Sequence, residues 1–340
     1  MLKNAKKKPA IPIVILLLVA AVFPLLPIPM YGYILSIVTQ ALLFVYLANS
    51  FNILSGFTGL FSMGHAAFFG IGAYGTALML TTFYNPSLGL VPSYIIGLLL
   101  GVVLSIVLGL IVAWIATKLK GLFFSLATLA MCEVLRNFAL QWTHVTGGQM
   151  GRVIPKELAV GPKTSYYIIL IMCVVAFLLT FLLKNSKPGR MFLAIRENEA
   201  LAASLGVNLK KWIYVAVLIS AVLAALGGAY YPFYLSHIEP TGTFDYAVTM
   251  SIIIVCIAGG SGTVMGPVFG GVVILINEAA RAILTNISSG ATSFASLAGL
   301  LYGIILLLII LFMPGGIISL KDVIAEKKAK RQLRAEQNAQ

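Results

Sequence analysis

The chain has 340 residues, of which 60% are hydrophobic and 10% charged. Soluble domains carry roughly a quarter charged residues, so a soluble domain is excluded. Formal net charge is +13, but the basic residues flank apolar runs instead of forming a patch, which argues against nucleic acid as their partner.

Apolar runs of the length a membrane span needs, about 20 residues, recur along the chain. They are continuous, not short and alternating as in a β-barrel. The expected fold is an all-α polytopic membrane protein of about ten transmembrane helices, some short or Gly-broken. Spans are predicted near Ile11–Pro29, Tyr31–Leu54, Gly59–Phe83, Val91–Thr117, Gly121–Trp142, Ser165–Leu183, Trp212–Leu235, Tyr246–Ala258, Gly266–Leu284 and Leu297–Met313. The run Tyr246–Ala258 is short for a crossing by itself. The Lys3–Lys8 cluster and first run have the outline of a signal peptide, but no small-x-small site follows and Pro24, Pro27 and Pro29 end the run. An uncleaved first span is expected. Cys132, Cys173 and Cys256 each lie inside an apolar run and read as small buried hydrophobes.

Ten crossings with the N-terminus inside place 18 of the 23 Lys and Arg residues on the inner side and 3 on the outer. The inner ones lie in the basic arm 1–10, at Lys118 and Lys120, in the 184–211 loop and in the tail 318–340. The outer ones are Arg152, Lys156 and Lys163. That asymmetry predicts cytoplasmic termini. No segment between spans is long enough for a second domain, so residues 1–340 read as one membrane domain.

The stretch Asn52–Gly75, NILSGFTGLFSMGHAAFFGIGAYG, contains six glycines. Gly56, Gly59 and Gly64 precede or open the third span. Glycine lets a membrane helix break or lets two backbones approach. Broken backbone at membrane depth is tolerated only where it is buried in protein or lines a wet cavity. A second such cluster, with Gly259, Gly262 and Gly266, sits at a predicted inner turn. Paired Gly-interrupted segments point to a transport path; close helix packing is the plainer alternative for any one glycine. Ser62 and His65 belong to the first cluster. His65 reads either as a neutral packing ring or as a polar group on the path, with the structural role preferred.

Two spans carry Glu and Arg three residues apart, Glu133 with Arg136 and Glu278 with Arg281. This spacing puts each pair on one helix face. The preferred reading is a self-neutralising pair that packs helices or subunits; an outer gate or a lining for a zwitterionic substrate is the alternative.

No phosphate-binding G-x-x-x-x-G-K-[ST] loop occurs, and no clustered metal-ligand set. Gly259-Gly260-Ser261-Gly262 has the GxSG outline of rhomboid proteases, but no histidine follows it, so the serine would lack its base. The inner loop Arg196–Asn208, RENEALAASLGVN, reads as a short amphipathic helix closed by Gly206, with Leu201 and Leu205 able to fill a partner's groove.

These motifs carry a resemblance. RENEALAASLGVN is similar to the coupling loop of bacterial branched-chain amino acid permeases of the LivM type, which belong to ABC importers. Ser55–Tyr74, Glu133–Asn137, Thr146–Gly148, Gly259–Gly271 and Pro314–Gly316 resemble that family's motifs in the same order, over about Tyr31–Ile317. The resemblance implies an ABC importer permease fold in a bacterial cytoplasmic membrane and alternating access. It implies a sister permease, two cytoplasmic ATPase subunits holding ATP and magnesium, and an extracytoplasmic binding protein. Neither cofactor is expected on this chain. Arg196, Glu197, Asn198, Glu199, Ala202 and Gly206 would form the ATPase contact, and the Gly56–Gly75 region would shape the path. Gln149-Met150-Gly151-Arg152 departs from the family's acidic-Gly-Leu pattern, so urea and short amides stay open as substrates beside leucine, isoleucine and valine. A proton-coupled secondary transporter, with His65 or Glu133 as carrier, is the rival reading.

Overall fold

The computed structural model describes residues 20–25, 31–84, 89–155, 160–287 and 316, with side chains to residue 276 and at 316. The expected spans Ile11–Pro29, apart from its residues 20–25, and Leu297–Met313 lie outside the described residues. The rest form helices. α1 (Tyr31–Phe51) runs on into a single π turn, Asn52–Gly56. Then come α2 (His65–Thr81), α3 (Leu90–Ala116), α4 (Leu122–Gln141) and α5 (Pro162–Asn185). Two short helices follow, α6 (Lys187–Glu197) and α7 (Glu199–Ser204). The chain closes with α8 (Leu209–Tyr234), α9 (Tyr246–Gly259) and α10 (Gly266–Ile287). Among the described residues, six helical stretches are long and apolar enough to cross a membrane, so the protein is an all-α polytopic membrane protein.

Local chemistry sets the boundaries. Pro162 opens α5, where its missing N–H costs nothing. Ser186, Asn198 and Asn208 cap α6, α7 and α8 by accepting from the N–H groups of Gly189, Leu201 and Lys211. Such caps satisfy donors a helix start leaves orphaned. The single short helix expected in Arg196–Asn208 is therefore divided between α6 and α7, because Asn198 leaves α6 in extended backbone to cap α7. At the far end of α7, Gly206 takes φ +82°. Its N–H bonds to the Ala203 carbonyl and that of Val207 to the Ala202 carbonyl, the paired closure a left-handed glycine permits.

Two other expectations change. The third span, expected at Gly59–Phe83, begins as helix only at His65, because Gly59–Gly64 is irregular. At about 1.5 Å per residue, the 17 residues of α2 fall short of the roughly 30 Å hydrocarbon core. The short run Tyr246–Ala258 is lengthened by a helical turn, Pro240–Thr243, and Pro240–Gly259 reaches spanning length.

α2 is the centre of the packing. Of its 17 residues 13 are buried, so it has no solvent or lipid face and no need of amphipathicity. α8 and α3 close on it, α1 packs against α5 and α8, and the α9–α10 hairpin lies on α1. The loops after α4 and α8 meet through a two-residue antiparallel ladder, β1 (Arg152–Val153) with β2 (His237–Ile238). This is the ladder end of the molecule; the opposite, basic end carries the turn at Lys118 and Lys120 together with α6 and α7.

α2 and α3 touch backbone to backbone. A Cβ on Gly75 would stand 2.6 Å from the Gly101 Cα, a contact that only small residues allow. Gly75→Ala is expected to cost about 1–3 kcal/mol through overpacking. Gly32→Ala on α1, where nothing lies within 4 Å, is expected to be neutral. Thermal stability of the detergent-solubilised protein, followed by size-exclusion, checks the difference.

Candidate functional site

The two glycine clusters of the sequence meet at the basic end. The π turn closing α1 brings Gly56 against the 260–265 turn, so that a Cβ on Gly56 would lie 2.7 Å from the Gly262 nitrogen. Asn52, fully buried, joins them. Its Oδ1 accepts from the Gly262 N–H at 2.7 Å and its Nδ2 donates to the Thr263 carbonyl at 2.8 Å. Thr263 in turn accepts from the Gly266 N–H at 3.0 Å, which fixes the start of α10. Gly259 lies against the Gly266 carbonyl, and Gly316 against Gly260.

Arg196 completes the junction. It sits in the last turn of α6, and its Nη1 donates to the Gly56 carbonyl at 2.5 Å. A cation there also complements the negative end of α1. Gly59 (φ +77°) and Gly262 (φ +78°) flank it. A side chain on Gly59 would meet Arg196 Cγ at 3.5 Å, and one on Gly262 would collide with the guanidinium. Both positions favour glycine for their left-handed backbone, and Gly262 for room as well.

The irregular segment Gly59–Gly64 has polar groups met by hydroxyls from neighbouring helices. Ser125 of α4 donates to the Phe61 carbonyl at 2.5 Å, and Thr128 accepts from the Met63 N–H at 3.0 Å. Thr249 of α9 accepts from the Ala66 N–H at 3.0 Å. Gly64 lies directly against the Thr128 carbonyl. Nothing in hydrocarbon would satisfy these groups.

His65 opens α2, fully buried between the edges of Phe51 and Phe68. Ser50 Oγ lies 2.7 Å from His65 Nε2 and donates to the Leu47 carbonyl. The ring therefore donates from Nε2, leaving Nδ1 as an acceptor without a partner among the described residues. The ring is thus packed between two phenylalanine edges and held by a hydroxyl. Ser62 Oγ is likewise buried and unpartnered among the described residues.

The loop residues divide by direction. Arg196, exposed as a residue, reaches the Gly56 carbonyl with its Nη1, Asn198 caps α7, and Ala202 is buried. Glu199 pairs with Lys120 of the α3–α4 turn, an exposed contact of small energetic weight. Glu197 is exposed. Leu201 and Leu205 are 58% and 76% exposed. The Glu133–Arg136 pair lies apart from the junction, closed on itself at 3.1 Å along α4. The side chains of Glu278 and Arg281 lie outside the described residues.

Sequence reasoning missed Asn52, Ser125, Thr128 and Thr249. The available signal was polar residues set singly in apolar spans, which must find partners in the fold.

The fold and its Gly-broken junction define an integral membrane protein built around interrupted helices. Residues 33–310 match the family described as branched-chain amino acid transport system, permease component, and the chain belongs to that family. It is similar to the LivM permease protein of Salmonella typhimurium, at 24% identity over 278 residues, covering 71% of this chain and 62% of the relative. It is also similar to the LivH permease protein of the same organism, at 23% over 305 residues, covering 84% of this chain and 94% of the relative. The ribose import permease RbsC of Haemophilus influenzae is 29% identical over 174 residues, 48% of this chain. The chain thus spans about 62% of the length of its LivM relative. No solved structure matches it.

Asn52→Ala would leave the Gly262 N–H and the Thr263 carbonyl buried and unpaired. Each such group costs about 1–3 kcal/mol. A lowered unfolding midpoint, with Asn49→Ala as a comparison that removes one 3.3 Å bond to the Val45 carbonyl, checks this.

Proposed function

We propose that this chain is a membrane-spanning permease subunit of an ATP-driven ABC importer for branched-chain amino acids, set in a bacterial cytoplasmic membrane with both termini in the cytoplasm. The basic end is then cytoplasmic, in keeping with the excess of Lys and Arg there. The single observation that carries the mechanism is Arg196. It links the loop α6–α7 to the break after α1 and, through Gly262 and Asn52, to the turn before α10.

In this reading the partner ATPases, holding ATP and magnesium, grip the exposed Leu201 and Leu205. Their closure displaces α6–α7, and Arg196 carries the displacement to both Gly-rich turns as a near-rigid-body shift. A sister permease completes the membrane unit, and an extracytoplasmic binding protein delivers substrate at the ladder end. Leucine, isoleucine and valine are the proposed substrates. The names of the LivM and LivH relatives support that choice, and the match over residues 33–310 supports the machine.

Uptake of labelled leucine, isoleucine and valine, with co-purification of an ATPase subunit, tests the reading. Leu205→Glu puts a charge on the proposed grip and is expected to remove the ATPase and uptake together, each by at least roughly tenfold, as loss of a buried anchor does. Met150→Glu, on the ladder end and 87% exposed, is expected to leave the ATPase bound. Uptake with no ATPase bound to wild type would overturn the importer and favour a secondary transporter. A bound ATPase without branched-chain uptake would redirect the substrate to urea or short amides.

A further inference from the structure

A cavity of about 180 Å³ lies between α1, α2, α8 and α9. Leu43 and Leu47 of α1, Phe69 of α2 and Val248 of α9 form its apolar walls. Leu235, at the end of α8, and Gly242, in the Pro240–Thr243 turn, border it as well. The cavity therefore reaches toward the ladder end.

Its polar groups are few. Tyr234 donates from its hydroxyl to the Ser36 carbonyl at 3.1 Å, and Tyr231 packs edge-on to Phe69 with ring centroids 5.0 Å apart. Gln40 lines the same space, half-buried, and its amide meets no hydrogen-bond partner among the described residues. At about 1.5 Å per residue, Gln40 lies about 14 Å from the Tyr31 end of α1, inside a hydrocarbon core of about 30 Å. An amide at that depth requires water or a ligand to meet it.

Apolar walls with one amide at their edge suit a molecule with an apolar arm and a polar head. A dry apolar cavity of about 150 Å³ takes a benzene ring, so this one has room for a branched side chain of three or four carbons. A lipid chain would leave the Gln40 amide unmatched, and apolar walls hold water poorly. The cavity is also placed to respond to the junction. α1 and α9 wall it, and their basic ends are joined where Asn52 holds Gly262.

We propose that this cavity receives the branched side chain of the substrate, with the Gln40 amide turned to its charged head group, while the path is open at the ladder end. The proposal rests on the importer reading given above and names the residues that select among its substrates. A shift at the junction then reshapes the cavity, because α1 and α9 move with their joined ends.

Competition between labelled leucine and valine in the assembled, reconstituted transporter tests the cavity. One methylene in an apolar pocket changes selection by roughly 10–200-fold. Val248→Phe, which fills the space, is expected to lower the leucine-to-valine uptake ratio by roughly tenfold. Val248→Leu is expected to lower it less, and it reads the ratio if the larger side chain stops uptake altogether. Val103→Phe on α3, at a position 55% exposed, is expected to keep the wild-type ratio. Gln40→Cys is expected to react with a small water-soluble maleimide, and leucine to slow that reaction more than alanine does. An unchanged ratio in the Val248 variants, or labelling that leucine does not slow, would overturn the site. A Gln40→Cys that does not react from water would overturn it too, in favour of a cavity filled by lipid. If wild type binds the ATPase and takes up both amino acids, these failures touch the cavity alone. If wild type does neither, the importer reading falls first and the cavity with it.

Discussion

Water is absent from the hydrocarbon core, so each backbone N–H and C=O released when a membrane helix breaks must be met from within the protein. This constraint organises the basic end. The π turn Asn52–Gly56 and the irregular Gly59–Gly64 release such groups. The groups are met by Arg196, Ser125, Thr128 and Thr249, while Asn52 meets those of the neighbouring 260–265 turn. The partners come from α4, α6, α9 and the π turn itself. The break therefore ties α1, α4, α6, α9 and the start of α10 into one unit.

The tie gives a physical route from a surface loop to the interior. α6 and α7 offer exposed leucines outward and one guanidinium inward. The guanidinium rests on a carbonyl that a continuous helix would have used for itself. It is flanked by Gly59 and Gly262, of which Gly262 keeps its slot open. Small displacements of a packed junction of this kind are passed on, not absorbed, because close-packed interiors comply little. Around it the backbone contact of α2 with α3 supplies a stiff frame, set by Gly75 and Gly101.

Much of this was legible in the sequence, because hydropathy and glycine spacing report on it directly. Apart from the third span and the run lengthened back to Pro240, the spans between Tyr31 and Tyr234 fall within a few residues of expectation. The two glycine clusters were marked as special, but not that they touch, because a contact between residues 56 and 262 has no local signature. Arg196 is read from its motif as part of the ATPase contact; its bond to the Gly56 carbonyl is an addition to that reading, because no spacing rule gives the partner of one side chain at a helix end. The third span began late because hydropathy cannot tell an apolar helix from an apolar irregular stretch held by hydroxyls. Asn52 stood unmarked because its role depends on partners 210 residues away.

The most direct measurement is the ratio of ATP hydrolysis to uptake in the assembled, reconstituted transporter carrying Arg196→Ala. The link through Arg196 predicts that the ATPase stays bound and hydrolyses ATP while uptake falls by roughly tenfold or more, as loss of a charge-assisted hydrogen bond of about 1.5–3 kcal/mol allows. Arg196→Lys, which keeps the charge, is expected to recover part of the uptake. Hydrolysis and uptake both unchanged from wild type would contradict the link and leave Arg196 as a packing residue only.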